Sequence, residues 1–240
     1  MRPLICEPGA VWKHGTVPTP RNRSGREKFV NTALELLNTH GPEALQARKV
    51  ATAVGTSTMG VYTYFGGMPG LIAEVAQEGW RRFDAALTLP PTDDPVADLF
   101  AMSAAYRRFA VGHPHLYRLM FGSTSAHGIN APSYNMLTMS PEKILKHYPS
   151  FAHPMTGAHR AIAAGRFEGS ADDPLTVISV AAQMWTLIHG FVMLELAGFF
   201  GDDGSAVDLV LAVMTTRLAI SLGDPPDRVE QSRQAALQLT

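Results

Sequence analysis

Cysteine is nearly absent: Cys6 is the one such residue among 240, so no intramolecular disulfide can form and a reducing cytoplasm is the expected compartment. Met1-Arg2-Pro3-Leu4-Ile5 leads into no apolar run of the length a secretory signal needs. Charge is sparse as well. Only 17% of residues are charged and the net charge is −1, so nothing global marks a nucleic-acid binder or an acidic-surface binder. Strand signals are missing: there is no sustained period-two alternation, no Gly-rich loop after a strand and no repeat of fixed period. The expected fold class is all-α. An unbroken membrane span is missing too. Leu175 to Phe200 is long enough, but Gln183, His189 and Glu195 interrupt it, and a mid-bilayer carboxylate costs a few kcal/mol. It reads as a helix buried in protein, with no membrane partner.

Catalytic signatures are equally scarce. His113 and His115 stand two apart around Pro114 with no Cys, Asp or Glu placed to complete a metal site. No serine has a Gly-x-Ser-x-Gly context, and Cys6 lies in a segment without periodic pattern. No enzyme, cofactor or metal is expected.

What the chain does have is apolar content of 46%, enough for one large or two smaller cores. Its charge is also unevenly spread. Residues 1–65 carry eight Lys and Arg against four acids, whereas the remainder is net acidic. An anionic partner would meet the N-terminal quarter. Residues 1–22, with Pro3, Pro8, Gly9, Gly15, Pro18 and Pro20, read as a flexible arm. Helix signals follow from Ser24, which pairs with Glu27 in a capping-box pattern, to Gly41-Pro42. Further helices are predicted over Gln46 to Val54, Thr58 to Phe65, Leu71 to Leu87, Val96 to Val111, Leu116 to Phe121, Phe151 to Ala164, Pro174 to Ala197 and Ala206 to Leu222. Residues 122–140 read as loop.

Gln46 to Phe65 is the most informative stretch. A helix-turn-helix needs a small residue where the helices meet, a residue tolerant of a left-handed turn, and an apolar residue on the inner face of the second helix. Ala51, Gly55 and Val61 fill these places at four- and six-residue spacings. Ser57 is placed to cap the second helix, whose first turn then offers Thr58, Met59 and Gly60 to a major groove. Tyr62, Thr63 and Tyr64 follow, with hydroxyls suited to phosphate oxygens. The same pattern also fits an ordinary αα-hairpin whose aromatics face a core.

Gly41, Val50, Ala51, Val54, Gly55, Ser57, Tyr62, Tyr64, Phe65 and Leu71 resemble the N-terminal domain of the tetracycline repressor (TetR) family of transcriptional regulators, over about Arg26 to Phe83. Two strings resemble the subgroup whose C-terminal domain is named WHG: His113 to Gly122, and Trp185-x-x-x-His189-Gly190. The resemblance implies an arm (1–22), a three-helix DNA-binding domain (23–69), a larger helical ligand-binding and dimerisation domain (70–222) and a flexible tail (223–240). It also implies a homodimer on double-stranded operator DNA that answers to a small effector. The chain departs from the pattern at Gln46, where Ser or Thr usually caps, and at Gly66-Gly67-Met68-Pro69, which replaces a charged turn. Its recognition helix has no Arg, Lys, Asn or Gln in the first turn. Base reading would then fall to Thr58 and Met59 against thymine methyls, with Arg21, Arg23 or Arg26 in a minor groove and Gln46 and Arg48 near phosphates.

In the C-terminal half, Tyr106, Phe109, Tyr117, Met120, Phe121, Trp185 and Met193 could line an apolar pocket for an apolar effector or form plain core. His189, one turn after Trp185, fits a ligand contact or a core histidine bonded internally or packed at the dimer seam. Pro174 to Ala197 is apolar on nearly every face, so a partner subunit could cover part of it. Leu209, Leu211, Val213, Leu218 and Ile220 suit the same seam. The competing class is an all-α sensor module that binds no specific DNA, which the missing base-reading side chains keep open; a small helical enzyme ranks last.

Overall fold

The computed structural model describes residues 20–122 and 136–239. The arm up to residue 19, Cys6 included, and residues 123–135 of the expected loop lie outside this set, as do the side chains of Arg21 and Arg23. Among the described residues every regular element is helical.

Helix α1 spans Pro20–His40. It starts one turn before the expected cap, so Ser24 is an interior residue and the capping-box reading is corrected; proline suits a first turn, where its missing N–H has no helical partner anyway. Phe29, Val30, Ala33, Leu34 and Leu37 bury one face of α1. Helices α2 (Ala47–Val54) and α3 (Met59–Phe65) follow. Between them Gly55 takes φ 81°, a left-handed cap whose N–H reaches back to α2 carbonyls. A side chain there would be strained, which is why the turn needs glycine. Val50, Ala51, Val54 and Val61 turn inward against α1.

Helix α4 (Met68–Leu87) joins the two halves of the molecule. Its first turns bury Leu71, Ile72 and Val75 beside α1 and α3, and its last turns bury Phe83 and Leu87 beside α5 (Pro95–Gly112) and α6 (Pro114–Met120). The short α7 (Pro141–His147) and a 3-10 turn at Pro149–Phe151 lead into α8 (Ala152–Ala163). Helix α9 (Pro174–Leu196) packs on α5, α8 and α10 (Ala212–Ser221), the last preceded by a π-helical turn at Val207–Leu211. Although α9 has the length and hydropathy of a membrane span, Val177, Ile178, Val180, Ala181, Met184, Ile188, Phe191 and Val192 are buried within the protein.

Two expectations are corrected in this region. The residues beyond 222 do not fray: Pro226–Ala236 forms α11, which packs on α5 and α10 through Val229, Ser232 and Ala236. An ionic knot fixes it. Buried Arg166 donates to both Asp224 oxygens at 2.6 Å, to Asp94 Oδ1 at 2.8 Å and to Ser232 Oγ at 2.8 Å, while Ser232 Oγ donates to Asp94 Oδ2 at 2.7 Å. Asp94 in turn caps α5 through the N–H groups of Val96 and Ala97. Leu211, expected at a subunit seam, is instead buried in its own protomer's core beside Val192 and Phe191. Large apolar side chains left exposed from the end of α9 through α10 are Leu194, Phe199, Leu209, Val213, Met214 and Ile220.

Candidate DNA-reading face and ligand cavity

The second helix of the helix-turn-helix shows its outer side chains to solvent. Met59 is 67% exposed and Tyr62 60% exposed, with Ser57, Thr58 and Thr63 exposed around them. Helix α3 begins without a side-chain cap: Thr58 occupies the capping position, and the Ser57 carbonyl, not its hydroxyl, accepts from the Gly60 N–H at 3.1 Å. The expected Ser57 cap is therefore absent, leaving that hydroxyl at the surface. Thr63 Oγ1 donates to the Met59 carbonyl at 2.9 Å. In α2, Arg48 is exposed, and Gln46 makes no cap; its amide donates to the Glu43 carbonyl at 3.0 Å.

Three of the sequence-derived DNA contacts point elsewhere. A Cβ on Gly60 would lie 2.6 Å from Phe29 Cζ, so Gly60 is where α3 presses on α1 and does not present itself to a groove. Tyr64 turns its ring toward Phe29, centroids 5.7 Å apart, and its hydroxyl sits where a Cβ on Gly25 would be. Arg26 lies inside α1, not in an arm. It donates to the Tyr64 carbonyl at 2.6 Å, pairs with Glu74 of α4 and stacks over Phe65. It ties α3 and α4 to α1. Arg21 and Arg23 fall in the first turn of α1.

In the larger half a cavity of about 660 Å³ opens between α4, α5, α6, α8 and α9. Tyr106, Met120, Phe121 and Trp185 line it, joined by Trp80, Phe83 and Leu87 from α4, Met102 and Ser103 from α5, the turn at 148–151, and Met184 and Ile188 from α9. Phe109, Tyr117, His189 and Met193 do not line it. Phe109 packs on Phe83 and His113, and Met193 against the apolar core. Sequence reasoning missed Trp80, although Trp80, Phe83, Asp84 and Leu87 repeat at helical spacing and share one face of α4.

Tyr117 and His189 stand one layer behind the wall and hold it in place. Trp185 Nε1 donates to Tyr106 Oη at 3.3 Å, the Tyr106 and Tyr117 hydroxyls are 2.8 Å apart, and Tyr117 Oη lies 2.7 Å from His189 Nδ1. Burial pushes Tyr106 up to about 12 and Tyr117 higher still, and lowers His189 below its ordinary value, so all three are neutral at pH 7. Of the readings open for His189, a core histidine bonded internally is the one this geometry displays, with tyrosine hydroxyls in place of a backbone carbonyl. At the mouth, His153 Nε2 meets Asp84 Oδ1 at 2.9 Å, linking α8 to α4. Among the described residues no cluster of His, Cys, Asp or Glu is arranged to hold a metal ion.

A helix-turn-helix carried on an all-α body that encloses an apolar cavity defines a class, the small-molecule-gated DNA-binding proteins of bacteria. The chain belongs to the tetR family of bacterial regulatory proteins: that family's N-terminal region matches residues 29–75, and the tetracyclin repressor-like C-terminal domain matches residues 99–218, half the chain. It is a DNA-binding transcriptional regulator and not an enzyme. The uncharacterised HTH-type transcriptional regulator Rv0681 of Mycobacterium tuberculosis is 26% identical over 204 residues, covering 82% of this chain and 81% of that protein. A Rhodococcus sp. RHA1 protein of unknown function shares the fold with TM-score 0.64 at 22% identity, covering 90% of this chain and all of that one. RolR in complex with resorcinol has TM-score 0.58 at 13% identity, covering 90% and 94%.

Proposed function

We propose that this chain is a homodimeric, cytoplasmic repressor of the WHG-type subgroup that binds a palindromic operator and is released from it by a small, largely apolar aromatic molecule. The observation that carries this reading is that one helix serves both sites. The first turns of α4 lie in the core of the DNA-binding domain, and its last turns supply Trp80, Phe83 and Leu87 to the cavity wall. A molecule wedged against those rings changes the set of α4, and with it the separation of two recognition helices that must span about 34–36 Å, one turn of DNA. The complex of RolR with an aromatic diol supports an effector of this size in a protein of similar fold. Ser57, Thr58, Met59, Tyr62 and Thr63 form the DNA-reading set, with Gln46 and Arg48 toward phosphates and Arg21 and Arg23 at the entry of α1.

Selection from a random duplex library tests the DNA half of the reading. Enrichment of a palindrome is expected, bound with affinity that falls steeply with salt as counterions are released. Thr58→Ala or Met59→Ala should change the preferred bases, whereas Tyr62→Phe should weaken all sequences about equally. A library that returns no palindrome would instead make the chain a sensor without specific DNA binding.

A further inference from the structure

The α5 wall of the cavity carries two polar side-chain atoms, Tyr106 Oη and Ser103 Oγ, and their protons are already placed. Tryptophan's indole N–H can only donate. Trp185 Nε1 gives its proton to Tyr106 Oη, so that oxygen is an acceptor on this side. The hydroxyls of Tyr106 and Tyr117 are 2.8 Å apart, and Tyr117 Oη is 2.7 Å from His189 Nδ1. Running the protons one way, Trp185 to Tyr106 to Tyr117 to His189 Nδ1, gives the indole proton and both hydroxyl protons an acceptor inside the protein. Running the hydroxyl protons the other way, Tyr117 to Tyr106 to His189 Nδ1 at 3.2 Å, leaves the 2.7 Å contact between Tyr117 Oη and Nδ1 with no proton in it, two acceptors face to face. The first arrangement is the stable one, and it leaves Tyr106 with a single unused lone pair and no free proton.

Ser103, one turn before Tyr106 on the same wall, repeats the pattern independently. Its Oγ donates to the Leu99 carbonyl at 3.0 Å, the preceding turn of α5, and so has only lone pairs left. The other lining residues with N–H or O–H groups, Gln77, Trp80, Arg81, Tyr148 and Ser150, stand on α4 and the turn at 148–151, off the α5 wall, and Arg81 is held by both oxygens of Glu78.

Resting on the reading of this cavity as the effector site, we propose that its α5 wall is acceptor-only and selects an aromatic molecule that brings its own proton, a hydroxyl or amino group, over one bearing an ether or carbonyl alone. Tyr106 and Ser103 are the specificity-determining residues. Trp185, Tyr117 and His189 position the Tyr106 oxygen.

Calorimetric titration of the full chain with 2-naphthol and with 2-methoxynaphthalene separates the outcomes, because the two share a ring system and differ in the proton. The naphthol should bind about tenfold more tightly, the worth of one hydrogen bond. In Tyr106→Phe that ratio should fall toward one, with Ser103→Ala lowering it less. Equal affinities in the unaltered protein would overturn the acceptor-only wall while leaving the cavity reading intact. A tenfold ratio that persists in both variants would show that the methyl group is excluded by size, and would overturn it too. If neither compound binds, both this inference and the effector-site reading fall together.

Discussion

A proton added to His189 has no comfortable place. Its Nδ1 accepts from Tyr117 in the satisfied chain, and burial already holds its pKa below the ordinary 6.5. Protonation would turn that acceptor into a donor facing a hydroxyl, forcing the run to reverse. Because the unfolded chain takes up this proton more readily than the folded one, stability is complete above about pH 6.5 and is lost as pH falls through the folded value. His113 acts in the same direction, through burial first and Arg82 second. Thermal melts between about pH 7 and pH 5 should show a declining Tm. His189→Leu should lie about 1–3 kcal/mol lower at pH 7, since Tyr117 then lacks its acceptor, and should decline less steeply with acid. A variant with an unchanged slope would remove His189 from this account. The sequence placed Trp185 and His189 on one face through their four-residue spacing. It could not reveal that their partners would be Tyr106 and Tyr117, because those contacts close over 70 residues or more. Gly60 shows the opposite difficulty: its exposed neighbours at 58 and 59 suggest a surface role, while the contact that requires glycine there is with Phe29, 31 residues earlier in the chain.

At the scale of elements, helices with a strong apolar stripe or clear end signals were legible. Gly55, Pro90-Pro91 and Pro174 bound α2, α4 and α9 because left-handed turns and missing N–H groups act locally. Helix α11 was not legible. Its sequence, PDRVEQSRQAA, is mostly polar, and what docks it is Val229 and Ala236 together with an ion pair whose cation, Arg166, belongs to the segment after α8. Both Arg166 and Asp224 are buried, at 4% and 1% exposure. Removing the Asp224 charge leaves buried Arg166 with half-buried Asp94 as its counter-charge. Asp224→Asn should therefore destabilise the protein by about 1.5–3 kcal/mol, the worth of a hydrogen bond to a charged group, read as a lower urea midpoint. A midpoint within error of the unaltered protein would mean that α11 is held by Val229 and Ala236 alone. Arg26 was misplaced for a related reason: a basic residue near the N-terminus looks like a free arm until Glu74 and the Tyr64 carbonyl are brought beside it.

The whole molecule leaves apolar surface that its own chain does not cover. Leu209 is 73% exposed and Met214 45% exposed, on the π-helical turn and α10, and Leu194 near the end of α9 is exposed as well. For the homodimer proposed above, this surface is the expected seam in place of Leu211, which the chain needs for its own core. Met214→Glu combined with Leu209→Glu should give a folded monomer in sedimentation, because unpaired carboxylates would have to be buried only on association. A variant that still sediments as a dimer would move the interface to another face.

One apolar cluster runs without interruption from Phe29, Leu34 and Val61 in the DNA-binding helices, through Leu71, Ile72 and Val75, to Tyr106 and Ile188 in the cavity wall and Tyr117 and Val192 behind it. Reader and sensor therefore share a melting unit, although the residue numbers suggest a boundary at 69/70. This shapes how the proposed repressor would fail. A lesion that loosens the cavity also loosens the grip on DNA, so damaged alleles leave the target gene switched on; an allele that holds its operator but is deaf to its signal must come from a change that alters the cavity's chemistry without softening its packing.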